Sequence, residues 1–422
     1  MTRILLLFCL LLSVPGLAQR GFVRVQGQQF TLDGKPYRYI GANYWYGGLL
    51  ATQGPAGKQR LRQELDFLKK QKVTNLRVMV GAEGLNDTYL YRVPQPLQPR
   101  QGEFNDSLLL GLDYLLAELG RRDMKAVLHF TNTWEWSGGL GQYLAWNGYG
   151  EGPLPKRAGW DWNQYQAYIA QFYTCAPCKA AVDVTIRHVL ARTNALTGQR
   201  YVDDPAIMAW EIINEPRPMG AASTPAFAQW MQQTAALVKS LDANHLLTTG
   251  SEGDIASDNN MAVYEQLHAD PNIDYATIHI WPKNWGWFKD TAVAQEFGQV
   301  RAKTDQFIAR HVAVTTRLNK PLVIEEFGLP RNQQVFAPGS STSLRDAYYA
   351  DIFRNVRTQP GIAGCNFWSF GGAARPIAGQ VFWKPGDAYL GDPAGEEQGL
   401  NSVFDSDKST WKKVKSTAKK LN

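Results

Sequence analysis

Cysteine is scarce: four occur in 422 residues. Cys9 lies inside a short apolar run near the N-terminus, and Cys365 inside an apolar strand-like run, where a buried thiol is expected. Cys175 and Cys178 form a Cys-Ala-Pro-Cys pair. A zinc site needs a second pair, which is missing, and no thioredoxin-like context surrounds this one; a local disulfide is expected. Histidine is sparse as well, at six, with no His/Asp/Glu cluster at ligand spacing. Neither a metal nor another cofactor is expected. No Gly-x-Ser-x-Gly elbow appears, so serine hydrolysis has no support. The 44 Lys and Arg are interspersed with 38 Asp and Glu. Without a basic stripe or arm, nucleic acid is not an expected partner.

Long apolar runs are missing too, apart from Ile4 to Leu12. Preceded by Arg3 and followed by Gly16-Leu17-Ala18 before Gln19, that run reads as a signal peptide over residues 1–18. It is too short to span a bilayer, although a membrane anchor is the competing reading. The mature chain is therefore expected to carry no membrane span and to be secreted or periplasmic.

What is present is a globular composition rich in aromatics: 44% hydrophobic, 19% charged, 14 Trp and 18 Tyr. Residues 22–38 read as an N-terminal β-hairpin turning at Asp33-Gly34. Eight short apolar runs follow, beginning near Tyr39, Asn75, Lys125, Ala206, His245, Tyr275, Pro321 and Gly364. Continuous apolar runs of this length mark strands buried on both faces. Helical periodicity follows most of them, at Lys58–Lys72, Ser107–Arg122, Ala180–Leu196, Pro225–Leu241, Thr291–Asn319, Ser343–Thr358 and Thr410–Lys420. After the fifth run it is weaker, near Asn260–His268. The alternation predicts an α/β fold, a (β/α)8 TIM barrel. A doubly wound sheet would carry a glycine-rich turn after its first strand, and Gly41-Ala42-Asn43-Tyr44-Trp45 is not one. Long segments at Thr131–Trp160 and Ser369–Asp407 leave the third and eighth strands at their carboxyl ends. With no linker in view, residues 19–422 are read as one catalytic domain.

Two carboxylates stand at strand ends in this frame. Asn214-Glu215-Pro216 closes the fourth strand, because proline cannot continue a ladder. Glu325-Glu326-Phe327-Gly328 closes the seventh. A pair of carboxyls facing across a barrel mouth is what glycoside hydrolysis needs. Pleating sends Glu325 and Glu326 to opposite faces, so only one is expected in the mouth. Trp45, Trp134, Trp136, Trp281, Trp285, Trp287, Trp368 and Trp383 all follow strand ends, where rings stack on sugar C–H faces, and about half are expected to touch ligand. Trp210 and Trp230 read as core. His129, at the end of the third strand, reads equally well as a contact beneath the site or as a structural histidine.

These motifs resemble glycoside hydrolase family 5, and within it the endo-β-1,4-mannanases. Asn214-Glu215-Pro216 matches the family's acid/base turn, and Glu326-Phe327-Gly328 its nucleophile, which favours Glu326 over Glu325. Arg77 matches the arginine that orients the nucleophile, His279 the sixth-strand histidine, and Trp368 the floor of the cleavage site. Asn132 and Trp134, Arg217, and Glu252 in Thr249-Gly250-Ser251-Glu252-Gly253 are similar to mannanase substrate contacts. Two positions depart from the pattern. Trp281 stands where the family usually has a tyrosine, and Thr133 stands where mannanases often have a second asparagine. The resemblance implies a retaining endo-β-1,4-mannanase with a β-mannan polysaccharide as its partner. A β-1,4-glucanase and an exo-β-mannosidase are the nearest alternatives, and a non-catalytic carbohydrate-binding barrel lies further off.

Overall fold

The computed structural model describes residues 21–87, 89–289 and 292–421; the signal-peptide expectation at 1–18 lies outside them. Eight parallel strands form one sheet: β4 (Tyr39–Asn43), β5 (Asn75–Met79), β6 (Lys125–His129), β7 (Ile207–Glu211), β8 (Leu246–Thr248), β9 (Ala276–Ile280), β10 (Leu322–Phe327) and β11 (Ile362–Phe367). All of their residues are buried, as continuous apolar runs predict. Their spatial order, β8-β7-β6-β5-β4-β11-β10-β9, is that of a (β/α)8 barrel whose helices pack outside.

Among the described residues no ladder joins β8 to β9. Other groups bridge that seam. Thr248 Oγ1 donates to Tyr275 O at 2.9 Å, Thr277 Oγ1 to Ser251 O at 3.0 Å, and Asp274 N to Leu247 O at 2.8 Å.

The expected N-terminal hairpin is a three-stranded antiparallel sheet. To β1 (Val23–Gln26) and β2 (Gln29–Leu32) it adds the edge strand β3 (Lys35–Tyr37), where Pro36 is tolerated. This sheet plugs the amino end of the barrel. Phe30 meets Tyr275 edge-on at 5.2 Å, and both join a buried cluster with Tyr39, Val127, Ala209, Leu246 and Val323.

Two segments enlarge the opposite end. After β6 come the helices Gly139–Trp146 and Trp162–Ala170, then Ala176–Leu190, whose first turn holds the Cys175–Cys178 disulfide. After β11, the short strands β12 (Phe370–Gly372) and β13 (Val403–Phe404) pair, and residues 373–402 between them form a long loop. Cys365 is a buried free thiol. Among the described residues no helix is long and apolar enough to cross a membrane.

Candidate active site

Arg77 is the hub of the mouth. Fully buried on β5, its guanidinium has a fixed fork of five N–H donors. Nη1 donates to Glu326 Oε1 at 2.5 Å and to Asn43 Oδ1 at 3.1 Å. Nη2 donates to Asn214 Oδ1 at 2.6 Å and to Glu211 Oε1, and Nε donates to Glu211 Oε2 at 2.8 Å. A buried cation is tolerated only when paired and bonded in this way.

β7 stops at Glu211, four residues before Glu215, so the chain reaches Glu215 through a tied turn rather than a strand. Asn214 N donates to Thr131 O at 2.9 Å, and Glu215 N to Gly250 O at 3.0 Å. Glu215 sits at φ 53°, a left-handed conformation that a non-glycine residue holds only when its surroundings impose it. Its Oε1 lies 2.8 Å from His279 Nδ1, and its Oε2 accepts from the Trp134 indole N–H.

Glu326 reaches the same point from β10. The ladder with β9 skips a residue there, pairing Ile324 with Ile278 and then Glu326 with His279. This bulge overturns the expectation that only one of the adjacent glutamates faces inward. Glu325 lies beneath the mouth, 3.8 Å from both Arg77 Nε and His279 Nε2, while Glu326 enters the mouth itself. One oxygen each of Glu215 and Glu326 and a His279 ring nitrogen lie within 4.8 Å of one another. The trio is also the one metal-ligand-like cluster among the described residues, but the Arg77 cation bonded to Glu326 opposes a second cation there.

Charges in this cluster are interdependent. Burial would hold His279 neutral; the Glu326 charge and the bond to Glu215 outweigh it and lift the ring to about 10. Burial pushes Glu215 up, but the His279 bond and charge, Arg217 and Trp134 draw it below the usual carboxylate range. Burial leaves Glu326 above that range, with His279 and Arg77 pulling against it. Glu211 is likewise raised by burial against the pull of Arg77.

The remaining expected site residues divide. At the position of the family's tyrosine, the Trp281 indole donates to Glu326 Oε2 at 3.2 Å. Trp368 is buried and edge-on to Trp281 at 6.0 Å. Arg217 forks onto Glu252 at 2.6 and 2.8 Å and stacks over Trp134 at 5.0 Å. Asn132 is not in the mouth. Fully buried, it donates to Ser137 Oγ at 3.0 Å and accepts from Asn214 Nδ2 at 2.9 Å, so it orients Asn214 and touches nothing in the cleft. Trp285 and Trp287 turn away onto Phe307 of the helix Val293–Leu318, at 5.1 and 6.3 Å, whereas Trp45 and Trp383 are buried under the loop after β11. Trp210 and Trp230 are core. His129 bonds the Thr131 carbonyl at 3.3 Å, and burial holds it neutral. Sequence reasoning missed Glu211 and Asn43, both inward-facing by strand alternation, and Glu396, for which no local signal existed.

A (β/α)8 barrel with two buried carboxylates converging at its carboxyl end defines a glycoside hydrolase. A family model described as GH family 5 β-mannosidase-like matches residues 20–422. The chain belongs to that family. It is 32% identical over 363 residues to mannan endo-1,4-β-mannosidase 1 of Oryza sativa subsp. japonica, covering 82% of this chain and 78% of the relative. Among solved structures, the family 5 mannosidase of Rhizomucor miehei in complex with mannosyl-fructose superposes with a TM-score of 0.87 at 30% identity, covering 96% and 98% of the two chains. The endo-1,4-β-mannanase of the same organism, 24% identical, superposes at 0.67 over 95% and 99%, a likeness of fold.

Proposed function

We propose that this chain is a retaining hydrolase of β-1,4-mannosidic bonds in polysaccharides of the mannan class. The observation that carries the mechanism is the contact within 4.8 Å between Glu215 and Glu326. Retaining glycosidases hold their carboxyls about 5–5.5 Å apart, and inverting ones about 6.5–9.5 Å, to admit a water. Glu326, held by Arg77 and Trp281, attacks the anomeric carbon as Glu215 protonates the departing oxygen, giving a covalent glycosyl-enzyme. The proton for that step is shared across the His279 Nδ1···Glu215 Oε1 contact. Glu215 then takes a proton from the water that releases the sugar. Trp368 offers the sugar its ring, and Asn214 keeps one amide hydrogen for a hydroxyl.

Mannan is the favoured substrate because both the family match and the named relatives concern mannosidic bonds, with β-1,4-glucan the runner-up. Internal cleavage accords with the names of the plant relatives. Cleavage from a chain end is the second reading, favoured by the loop after β11. Export into an oxidising compartment is proposed from residues 1–18 and the Cys175–Cys178 bridge.

Reducing-sugar release from mannan against carboxymethyl-cellulose tests the substrate. For the mechanism, Glu215→Ala acting on an activated aryl β-mannoside should be rescued by azide with a β-configured mannosyl azide as product. An α-configured azide would contradict retention.

A further inference from the structure

The loop between β12 and β13 crosses the mouth rather than flanking it. Phe382 sits edge-on to Tyr91 at 5.3 Å and under Lys156 Nζ at 4.7 Å, on the loops after β5 and β6. Tyr389 packs on Trp45, after β4, at 5.7 Å, and the Trp45 indole donates to Gly391 O at 2.8 Å. On the far side, Lys283, after β9, donates to Glu397 at 3.2 Å. The crossing is stiff. Gln398 Nε2 donates to the carbonyls of Asp392, Pro393 and Glu396 at 2.9, 2.8 and 3.1 Å. Asp392 accepts the backbone N–H groups of Gly399, Asn401 and Ser402.

This scaffold delivers a third carboxyl to the site. Glu396 lies close enough to Glu326 and Glu215 to feel both charges, and with burial and Asp392 they push its carboxyl well above the usual range. Glu396 Oε2 and the Trp368 indole nitrogen are both buried, and neither has a hydrogen-bond partner. An orphan acceptor and an orphan donor beside each other form a costly pair that a hydroxyl, able both to donate and to accept, satisfies. Trp368 and Glu326 stand under the sugar that remains on the enzyme, whereas Arg217 and Glu252 flank Glu215 on the leaving side.

We propose that Glu396 binds hydroxyls of the terminal sugar on the Glu326 side, on a loop that closes that end of the cleft, so that hydrolysis proceeds from chain ends. The inference rests on the β-mannoside-hydrolase reading above. It deepens that reading by naming a specificity residue and the form of the substrate.

The test is a time course on mannohexaose with wild type, Glu396→Gln and Glu396→Ala, followed by product length and by melting temperature. Wild type should release mannose and mannopentaose first. The alanine variant should lose on the order of tenfold to a hundredfold in kcat/KM on mannobiose. Because Oε2 bonds nothing in the protein, neither variant should melt below wild type. Early mannobiose and mannotriose, or wild-type kcat/KM in both variants, would overturn the closed end while leaving β-mannoside hydrolysis intact. Activity falling in step with the melting temperature in both variants would assign Glu396 a structural role and overturn the proposal. A folded wild type that cleaves no β-mannoside would remove the parent reading and this one together.

Discussion

The two ends of the barrel interior are built from the same eight strands yet are chemical opposites. At the amino end, Tyr39, Val127, Ala209, Leu246, Tyr275 and Val323 pack with Phe30 from the N-terminal sheet, without a charge among them. At the carboxyl end, Arg77, Glu211, Glu215, His279, Glu325 and Glu326 are all buried within a few ångströms of one another. The first arrangement gains free energy by removing apolar surface from water. The second resembles buried ion networks elsewhere, whose desolvation cost is offset only by complete bonding. One end therefore holds the fold and the other spends stability on chemistry.

The sharpest way to break this contrast is Glu326→Ala. Turnover should fall by roughly 10⁴-fold or more, while the melting temperature holds or rises, since a raised carboxyl leaves the core; loss of the fold would show that the upper layer is structural as well. Arg77→Lys should cost on the order of 10²–10³ in kcat, because a lysine cannot reproduce the fork to Glu211, Glu326 and Asn214. Steady-state kinetics would expose a conservative replacement that is harmless. Leu246→Ala should do the reverse, lowering unfolding free energy by about 2–5 kcal/mol in denaturant titrations with kcat unchanged. Trp281→Phe removes one N–H from Glu326 and should lower kcat by about tenfold with KM nearly constant.

The smallest effect concerns pH. Glu83, just beyond β5, is pushed up by burial to about 7 from 4.5, against its bonds from Gly139 and Tyr143. The folded chain thus binds this proton more tightly than the unfolded chain. Its contribution is complete below pH 4.5 and is lost as pH rises through about 7. The melting temperature of wild type relative to Glu83→Gln should therefore decline across that interval; a constant difference would rule the linkage out.

Much of the scaffold was readable because barrel strands must be continuous apolar runs and their helices must be amphipathic; the helix at Ser343–Thr358 even coincides in both bounds. What escaped reading has physical reasons. β3 is three residues long around a proline, too short for periodicity to show. The bulge at Glu325 breaks the alternation from which one inward carboxylate was expected. The Asn132 side chain is saturated by Ser137 and Asn214, a matter of tertiary contacts invisible in a Thr-Asn-Thr-Trp string. Glu396 is positioned by Gln398, Asp392 and a loop crossing from one side of the mouth to the other. The structure brings Glu215, Glu326, Arg77, Asn214, His279 and Trp281 to one place, and motif context had already singled out each of them.

The joint between β8 and β9 sets the mechanical character of the cylinder. Two threonine hydroxyls take the place of a run of amide rungs there, so the wall is weakest along a line running from the apolar plug up to Glu252 and His279. Amide protons flanking that line should be the first of the barrel to trade with deuterated solvent. A small parting there would loosen the grip on the departing sugar while leaving the anchorage of Glu326 on the opposite wall undisturbed.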